Sequence, residues 1–425
     1  MQVANVLLGM VIGVVVWRWW RKHRVKVRRW WQKQAEGVPR QWHPKSAEAC
    51  PGCRDGIQVT VVRANQAVKP YCSQKRKRGA SKRLATDGYA CPCRECAYFG
   101  ITDEAVHTLV GYGKIGKGKD IQRWRCQACR TTFSCRRGTP LYYLKSAPGQ
   151  VELALWFLAE GVDVSVLVRY TGRREATIAR WLERAGRQSA SWHSLLFQGL
   201  SLALVQMDEL CVRVRGLDKR RWLWLAIDPV SKALPALHLG ARKADDAYAL
   251  VHDLKQRLAE NCVPAFTTDG LRSYFYALTA HFGHWHTDVG ARVARWQVEA
   301  TLLYGQLVKR RERRTVVFTT TRMLWGKRAD LTLVQVAHGF SHCIQTALIE
   351  RVNLTLRQSI APLTRKTWSL PRSEAHLLLH IEWGRCYYHL CRAHQSRQRR
   401  TPAMALQLTD HIWTIHKFVN TPLIL

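Results

Sequence analysis

Leu204-Val205-Gln206-Met207-Asp208, Arg221-Trp222-Leu223-Trp224-Leu225-Ala226-Ile227-Asp228 and Pro264-Ala265-Phe266-Thr267-Thr268-Asp269-Gly270 are three short apolar runs, and each reaches an acid. Runs of this length and content predict strands. Leu210 to Arg215 continues the first run, and Ala233 to Leu239 makes a further strand after the turn Pro229-Val230-Ser231-Lys232. Tight turns between the first strands predict an antiparallel meander. Asp245 to Leu258 then reads as a helix, apolar at Ala247, Leu250, Val251, Leu254 and Leu258. Asp269 ends the next buried strand, at the edge where open α/β sheets hold their sites.

Strand-strand-strand-helix-strand is the opening of an α/β ribonuclease-H-like fold, expected over residues 200–395. Asp208 and Asp269 are both expected to end apolar strands that such a sheet sets side by side, and a third acid is needed on a helix packed against it. Glu350 lies in Thr346-Ala347-Leu348-Ile349-Glu350-Arg351-Val352-Asn353-Leu354-Thr355-Leu356-Arg357, where Glu350, Asn353 and Arg357 share one helix face. Three carboxylates of this kind suit two Mg²⁺ ions about 4 Å apart, because hard cations want oxygen donors. Each acid also has a plainer reading. Asp208 could cap a turn with Glu209, Asp269-Gly270 could be a turn pair, and Glu350 could salt-bridge Arg351 or Arg357. Glu299 competes for third place because it lies nearer Asp269 in sequence.

The chain has 425 residues, with 67 Lys+Arg against 30 Asp+Glu, a net charge of +37 and 47% apolar residues. That apolar share excludes a disordered basic tail, and the length suits two or three folded units. The charge argues against an enzyme of small neutral substrates. It calls for a polyanion, first a nucleic acid backbone and second an anionic membrane surface.

Cysteines crowd the front of the chain: Cys50, Cys53, Cys72, Cys91, Cys93, Cys96, Cys126, Cys129 and Cys135 all precede residue 136. Within residues 87–140, Cys91-Pro92-Cys93-Arg94-Glu95-Cys96 and Cys126-Gln127-Ala128-Cys129 stand about thirty residues apart, with Trp124 and Phe133 beside the second pair. Two thiolates on one tight turn can both reach a tetrahedral Zn²⁺, so this spacing predicts a zinc ribbon. Cys91 and Cys93 compete to partner Cys96. Cys50 and Cys53 form another knuckle, a candidate second site that would borrow Cys72 and the spare of Cys91 and Cys93.

Residues 145–192 predict three helices. The first carries Val151, Leu153, Leu155, Trp156 and Leu158. Val164 to Tyr170 forms the second, closed by Thr171-Gly172. Arg173 to Ala185 forms the third, with Gly186 as its stop. Arg173, Thr177, Arg180 and Arg184 make an outer stripe, with Arg174 as a further first-turn contact. This is helix-turn-helix grammar for DNA binding, shared with plain three-helix bundles. Residues 23–86, with Lys75-Arg76-Lys77-Arg78-Gly79, read as a basic linker. Residues 1–22 are hydrophobic, and residues 3–20 with the Trp17, Trp19, Trp20 cluster are a candidate membrane anchor that would leave the rest in the cytoplasm.

Met207-Asp208-Glu209, Thr268-Asp269-Gly270 and Ile349-Glu350-Arg351-Val352-Asn353-Leu354-Thr355-Leu356-Arg357 resemble the DDE transposases of bacterial insertion sequences. The likeness is to members with a zinc-ribbon and helix-turn-helix head. Tyr387-Tyr388-His389 and Thr401-Pro402-Ala403-Met404-Ala405 with Leu408-Thr409-Asp410-His411 look like the later part of that group. The resemblance spans roughly residues 45–415 and is carried mainly by the E-R-x-N helix, and residues 396–425 read as a C-terminal tail. It implies Asp208, Asp269 and Glu350 as the catalytic, Mg²⁺- or Mn²⁺-binding triad, supported by Asn353 and Arg357, and it favours Glu350 over Glu299. It further implies zinc in the head, element ends and target DNA as partners, a homodimer or higher assembly on DNA, and a cytoplasmic, nucleoid-associated protein. Hydrolysis at the element end and strand transfer into target DNA would share one two-metal site. A domesticated DNA-binding protein with an inactive core is the alternative. The Asp269-to-Glu350 interval is long for compact members of the family.

Overall fold

The computed structural model describes residues 84–423 except 117, 119, 218, 219, 290, 291, 314 and 396–398. The hydrophobic N-terminal segment, the Cys50–Cys53 knuckle and Cys72 therefore lie outside the described residues. The chain is a mixed α/β protein of several units, built on a six-stranded sheet of order β11-β10-β7-β4-β5-β6.

Strands β4 (Leu204–Val212), β5 (Arg221–Ile227) and β6 (Ala236–Gly240) form the expected antiparallel meander. Helix α4 (Ala244–Arg257) then crosses to β7 (Ala265–Thr268), which runs parallel to β4 and to β10 (Tyr304–Glu312). β11 (Thr315–Trp325) closes that edge as the second arm of a hairpin with β10. A smaller hairpin, β8 (Gly283–His286) with β9 (Arg295–Val298), follows helix α5 (Arg272–His281), and helix α6 (Arg328–Ala337) follows β11.

One expectation needs correction. Asp208 does not end a strand: it pairs with Leu225 in the middle of β4, which runs on to Val212. The parallel neighbour stops first. Thr268, the last residue of β7, pairs with Met207, so Asp208 and Asp269 both stand where β4 has just lost that flank. Alternation along β4 sends successive side chains to opposite faces. Leu210 and Val212 join one core cluster with Ile349, Val352 and Leu356 of α7 (Ala347–Ser359). Val205 and Met207 join the other, with Ala247 and Leu250 of α4 and Tyr274 of α5. Asp208 thus belongs to the α7 side by its position in the pleat, and Glu209 to the α4–α5 side.

Ahead of the sheet stand α1 (Pro148–Ala159), α2 (Val164–Thr171) and α3 (Glu175–Leu196). Asp163 caps α2, its carboxylate accepting from Ser165 N, and Gly172 closes it in the left-handed conformation at φ 64°. Gly186 does not stop α3, which continues for ten further residues to Leu196. The glycine serves packing instead: a Cβ there would lie 2.3 Å from the Leu379 carbonyl oxygen of α8 (Glu374–Leu390). Trp383 of α8 donates to Leu155 O at 2.9 Å, and Tyr387 OH donates to Glu160 at 2.6 Å, so α8 binds the three helices to the sheet. The tail is also built in. Phe418 of α10 (Ile415–Asn420), which follows the short α9 (Pro402–Ala405), stacks on Trp383 at 5.0 Å, and Gln188 donates to Thr421 O at 2.9 Å. Further forward, β1 (Leu109–Ile115), β2 (Ile121–Cys126) and β3 (Thr132–Ser134) form a separate antiparallel sheet with its own core of Leu109, Trp124 and Phe133.

Gly186→Val is expected to destabilise the chain by about 1–3 kcal/mol, because the added atoms meet backbone rather than a movable side chain. A urea midpoint equal to or above wild type would show that α3 and α8 do not pack this closely.

Candidate metal centres

The strand ends create the first centre. Asp208, Glu209 and Asp269 each offer a carboxylate oxygen within 4.8 Å of the others. Asp208 and Glu209 point to opposite faces of β4, and Asp269, just past the end of β7, meets both at the open flank. Helix α7 supplies the next contact. Gln206, in β4, donates to Gln345 O at 2.9 Å and accepts from Ile349 N at 3.0 Å, which pins the start of α7 to the strand. One turn further along, Asn353 Nδ2 donates to Asp208 Oδ2 at 2.6 Å, and its Oδ1 is buried with no hydrogen-bond partner among the described residues. Glu209 accepts from Arg242 and, at 3.2 Å, from Tyr274 OH. Asp269 Oδ1 accepts from Leu271 N at 2.9 Å, a turn that fixes the carboxylate at the mouth of the sheet.

Electrostatics set the character of the site. Burial and the neighbouring charges of Glu209, Asp269 and Glu350 push the Asp208 carboxyl up to about 7. Burial and Asp269 likewise raise Glu209 against the opposing pull of Arg242. Acids that repel one another in a buried place favour a bound cation, and three oxygen donors suit a hard divalent one.

Glu350 is not drawn into that cluster. Its carboxylate accepts from Lys309 Nζ of β10 and, at 2.9 Å, from Thr346 Oγ1. It still bears on the charge of Asp208, from the same helix as Asn353. Neither Arg351 nor Arg357 is its ion-pair partner: Arg357 Nη1 donates instead to Leu363 O at 3.0 Å. Glu299 faces elsewhere, accepting from His284 Nδ1 at 3.1 Å beside the small hairpin. Glu209 is the member that sequence reasoning passed over. Its adjacency to Asp208 suggested a capped turn, and only the loss of the β7 flank lets both faces of the strand contribute.

The second centre is formed by thiols. Cys91, Cys96, Cys126 and Cys129 bring their Sγ atoms within 4.8 Å of one another. Cys91 Sγ lies 3.5 Å from Cys129 Sγ, and Cys96 Sγ 3.7 Å from Cys126 Sγ. A tetrahedron with metal–sulfur bonds of about 2.3 Å has edges of about 3.8 Å, so the spacing fits Zn²⁺. Cys93 is outside the four: its carbonyl accepts from Cys96 N at 3.0 Å and shapes the turn instead. In the other knuckle Arg130, at φ 65°, donates its N–H to Cys126 O at 3.0 Å. A hydrogen bond from the Cys91 thiol, with the Cys129 N–H and Thr108, holds the Cys126 thiol below its ordinary range, as a metal-binding thiolate requires.

The basic residues of the three-helix unit divide. Arg174 begins α3, and Arg173, Arg174 and Arg180 are exposed, with Arg173 Nε 3.2 Å from Gln150 Oε1. Thr177 is half-buried. Arg184 departs from the expected stripe: its guanidinium donates to Pro140 O at 2.8 Å and to Tyr142 O. The segment leading into α1 folds back over that turn of α3 and takes the side chain. No family model matches the chain, and no curated protein matches it. Among the described residues no helix is long and apolar enough to cross a membrane.

A carboxyl raised in the folded state binds more protons than in the unfolded chain between its unfolded value, near 4, and about 7, so Asp208 costs stability as pH rises through that window. Asp208→Asn is therefore expected to melt several degrees above wild type at about pH 8, the gain vanishing near pH 4. Millimolar Mg²⁺ or Mn²⁺ should raise the wild-type melting temperature at about pH 8 and leave that of Asp208→Asn unmoved. A gain independent of pH would remove the charge argument. Cys126→Ser should lower the bound zinc measured by emission spectroscopy and unfold residues 87–140, whereas Cys93→Ser should retain full metal.

Proposed function

We propose that the chain is a metal-dependent DNA strand-cutting and strand-joining enzyme of the DDE transposase type, with an N-terminal DNA-binding head. The observation that carries this reading is the gathering of Asp208, Glu209 and Asp269 at the flank between parallel strands, under a helix that carries Glu350 in its first turn and presses Asn353 onto Asp208. The sheet order, a three-strand meander followed by parallel β7 and β10, supports a ribonuclease-H-like core. The four-thiol centre beside a three-stranded sheet supports a zinc ribbon, and α1–α3 with exposed Arg173, Arg174 and Arg180 support a helix-turn-helix.

Asp208 and Asp269 would hold Mg²⁺ or Mn²⁺, which supplies charge neutralisation at the phosphate and acidifies the attacking hydroxyl or water. Asn353 orients the Asp208 carboxylate. Glu209 adds negative charge, steadied by Arg242 and Tyr274. Glu350 is the third triad member by resemblance, and it joins the cluster on leaving Lys309. In the first step water adds to phosphorus, its proton passes to solvent or a site carboxylate, and the bond to the 3′ oxygen breaks to leave a 3′-hydroxyl. In the second step that hydroxyl attacks a target phosphodiester, displacing another 3′-hydroxyl with no net bond energy required. The +37 charge supplies the non-specific grip on both DNAs. The Glu350–Lys309 ion pair favours one second reading, a DNA-binding protein whose core no longer cuts.

Asp208→Asn and Asp269→Asn are expected to lower Mn²⁺-dependent cleavage of labelled DNA from the ends of the gene's flanking repeats by more than the roughly 10–100-fold that an outer metal partner is worth. Glu350→Gln should do the same and Glu299→Gln should not, with DNA binding by the head retained in all four. Wild-type protein inert with both Mg²⁺ and Mn²⁺ while still binding those ends would select the non-cutting reading. Cleavage surviving in Glu350→Gln but lost in Glu209→Gln would transfer the third role to Glu209.

A further inference from the structure

Past Asp208, strand β4 runs three residues on to Cys211 and Val212, where it forms one wall of a cavity of about 280 Å³. The other walls are the end of α7 and the loop that follows it. Arg213, Arg220, Arg357, Arg365 and Lys366 line the cavity with Thr364 and Thr367, and no acid lines it among the described residues. Arg213, Arg220, Arg365 and Lys366 are exposed and make no ion pair with a described residue. Five cations converging without a counter-ion among the described residues call for an anion. The volume falls just short of the roughly 300 Å³ at which pockets for drug-sized ligands begin, so it suits one charged group rather than a whole nucleotide.

The loop is held rather than loose. Thr364 Oγ1 donates to Arg357 O at 2.8 Å, Arg357 Nη1 donates to Leu363 O at 3.0 Å, and Ser369 N donates to Thr367 Oγ1 at 3.0 Å. Held in this way it displays Trp368, 92% exposed, directly after the cavity residue Thr367. An indole that far from its own core is costly to leave in water, and stacking is the use to which such a surface is best suited. Cationic grooves beside aromatic platforms are how proteins hold unpaired strands, because every base has a face to stack and every nucleotide a phosphate.

We propose that the loop 364–368 is a single-strand binding site: the cavity of Arg213, Arg357, Arg365 and Lys366 takes one backbone phosphate, and Trp368 takes a base stacked on its indole. Three residues of β4 separate Cys211 from Asp208, about 10 Å along the strand. The site therefore receives the strand that enters or leaves the carboxylate centre. The proposal rests on the nucleic-acid reading of that centre and adds a separate residue set to it.

The full chain, its Trp368→Ala variant and its Arg365→Ala/Lys366→Ala variant decide the matter through binding of a fluorescent oligothymidylate over a salt series, with a duplex of equal length in parallel. Trp368→Ala should weaken the single strand about tenfold and leave the duplex nearly unchanged. The double variant should flatten the slope of log K against log salt for the single strand by roughly 0.7, one phosphate contact's worth. Variants that hold the oligothymidylate as tightly as wild type, with the same slope, overturn the proposal. Inorganic phosphate bound by wild type and lost in the double variant, with strand binding unmoved, also overturns it by making a free anion the occupant. Mn²⁺-dependent cleavage measured on the same samples separates the two ideas. Loss of strand binding in a protein that never cleaves upholds this site alone, whereas wild-type strand binding in cleaving variants sinks this site and leaves the carboxylate reading in place.

Discussion

Asn353 Nδ2 donating to Asp208 Oδ2 across 2.6 Å is the contact on which the core's arrangement turns. Asp208 is mostly buried on the face that also carries Gln206, Leu210 and Val212, and it makes no ion pair with a described residue. An uncompensated carboxylate in that position is expensive unless something donates to it or a cation sits beside it. Helix α7 meets the first need with Asn353, and it can do so only because Gln206 has already anchored the helix start to the same strand. Strand, helix and acid are thereby locked to one register.

The rest of the chain is organised around keeping that register. The two core clusters lie on opposite faces of β4 and β5, with Leu223, Leu225 and Ile227 serving one, and Trp224 and Ala226 the other. A slip of one residue would bring Glu209 to where Asp208 now lies and would turn Leu210 to the opposite face. Helix α8 carries the constraint forward. Through Trp383, Tyr387 and the close approach at Gly186 it fastens α1–α3 to the sheet, so that the three-helix unit and the carboxylate cluster are held in a single packed body. The thiol centre is different in kind. Its core is too small to be stable alone, and metal would supply much of its folding energy.

The strands, their order along the chain and the acids they carry are readable from periodicity, because alternation and turn chemistry are local. So are the paired cysteines. The errors lie where a distant segment decides. The stop expected at Gly186 fails because Leu379, nearly two hundred residues later, needs the space that a side chain would fill. Arg184 leaves the outer stripe because the carbonyls of Pro140 and Tyr142 reach it first. Glu350 sits on the expected helix and face, yet Lys309 of β10 holds it away from the cluster.

What the sequence determines by itself is therefore the inventory: which segments are strands and helices, that Asp208 and Asp269 meet in one sheet, that two cysteine knuckles are spaced for one metal, and that the chain carries a large positive charge. Tertiary structure decides membership. It selects Cys91 over Cys93 because the fold of the knuckle points only one of two nearby thiols at the other pair. It adds Glu209 because β7 ends one residue before Asp269, opening the flank of β4 so that side chains from both of its faces can converge. Spacing along a chain measures reach, whereas a ligand set depends on direction, and direction is settled only when the neighbouring elements are packed.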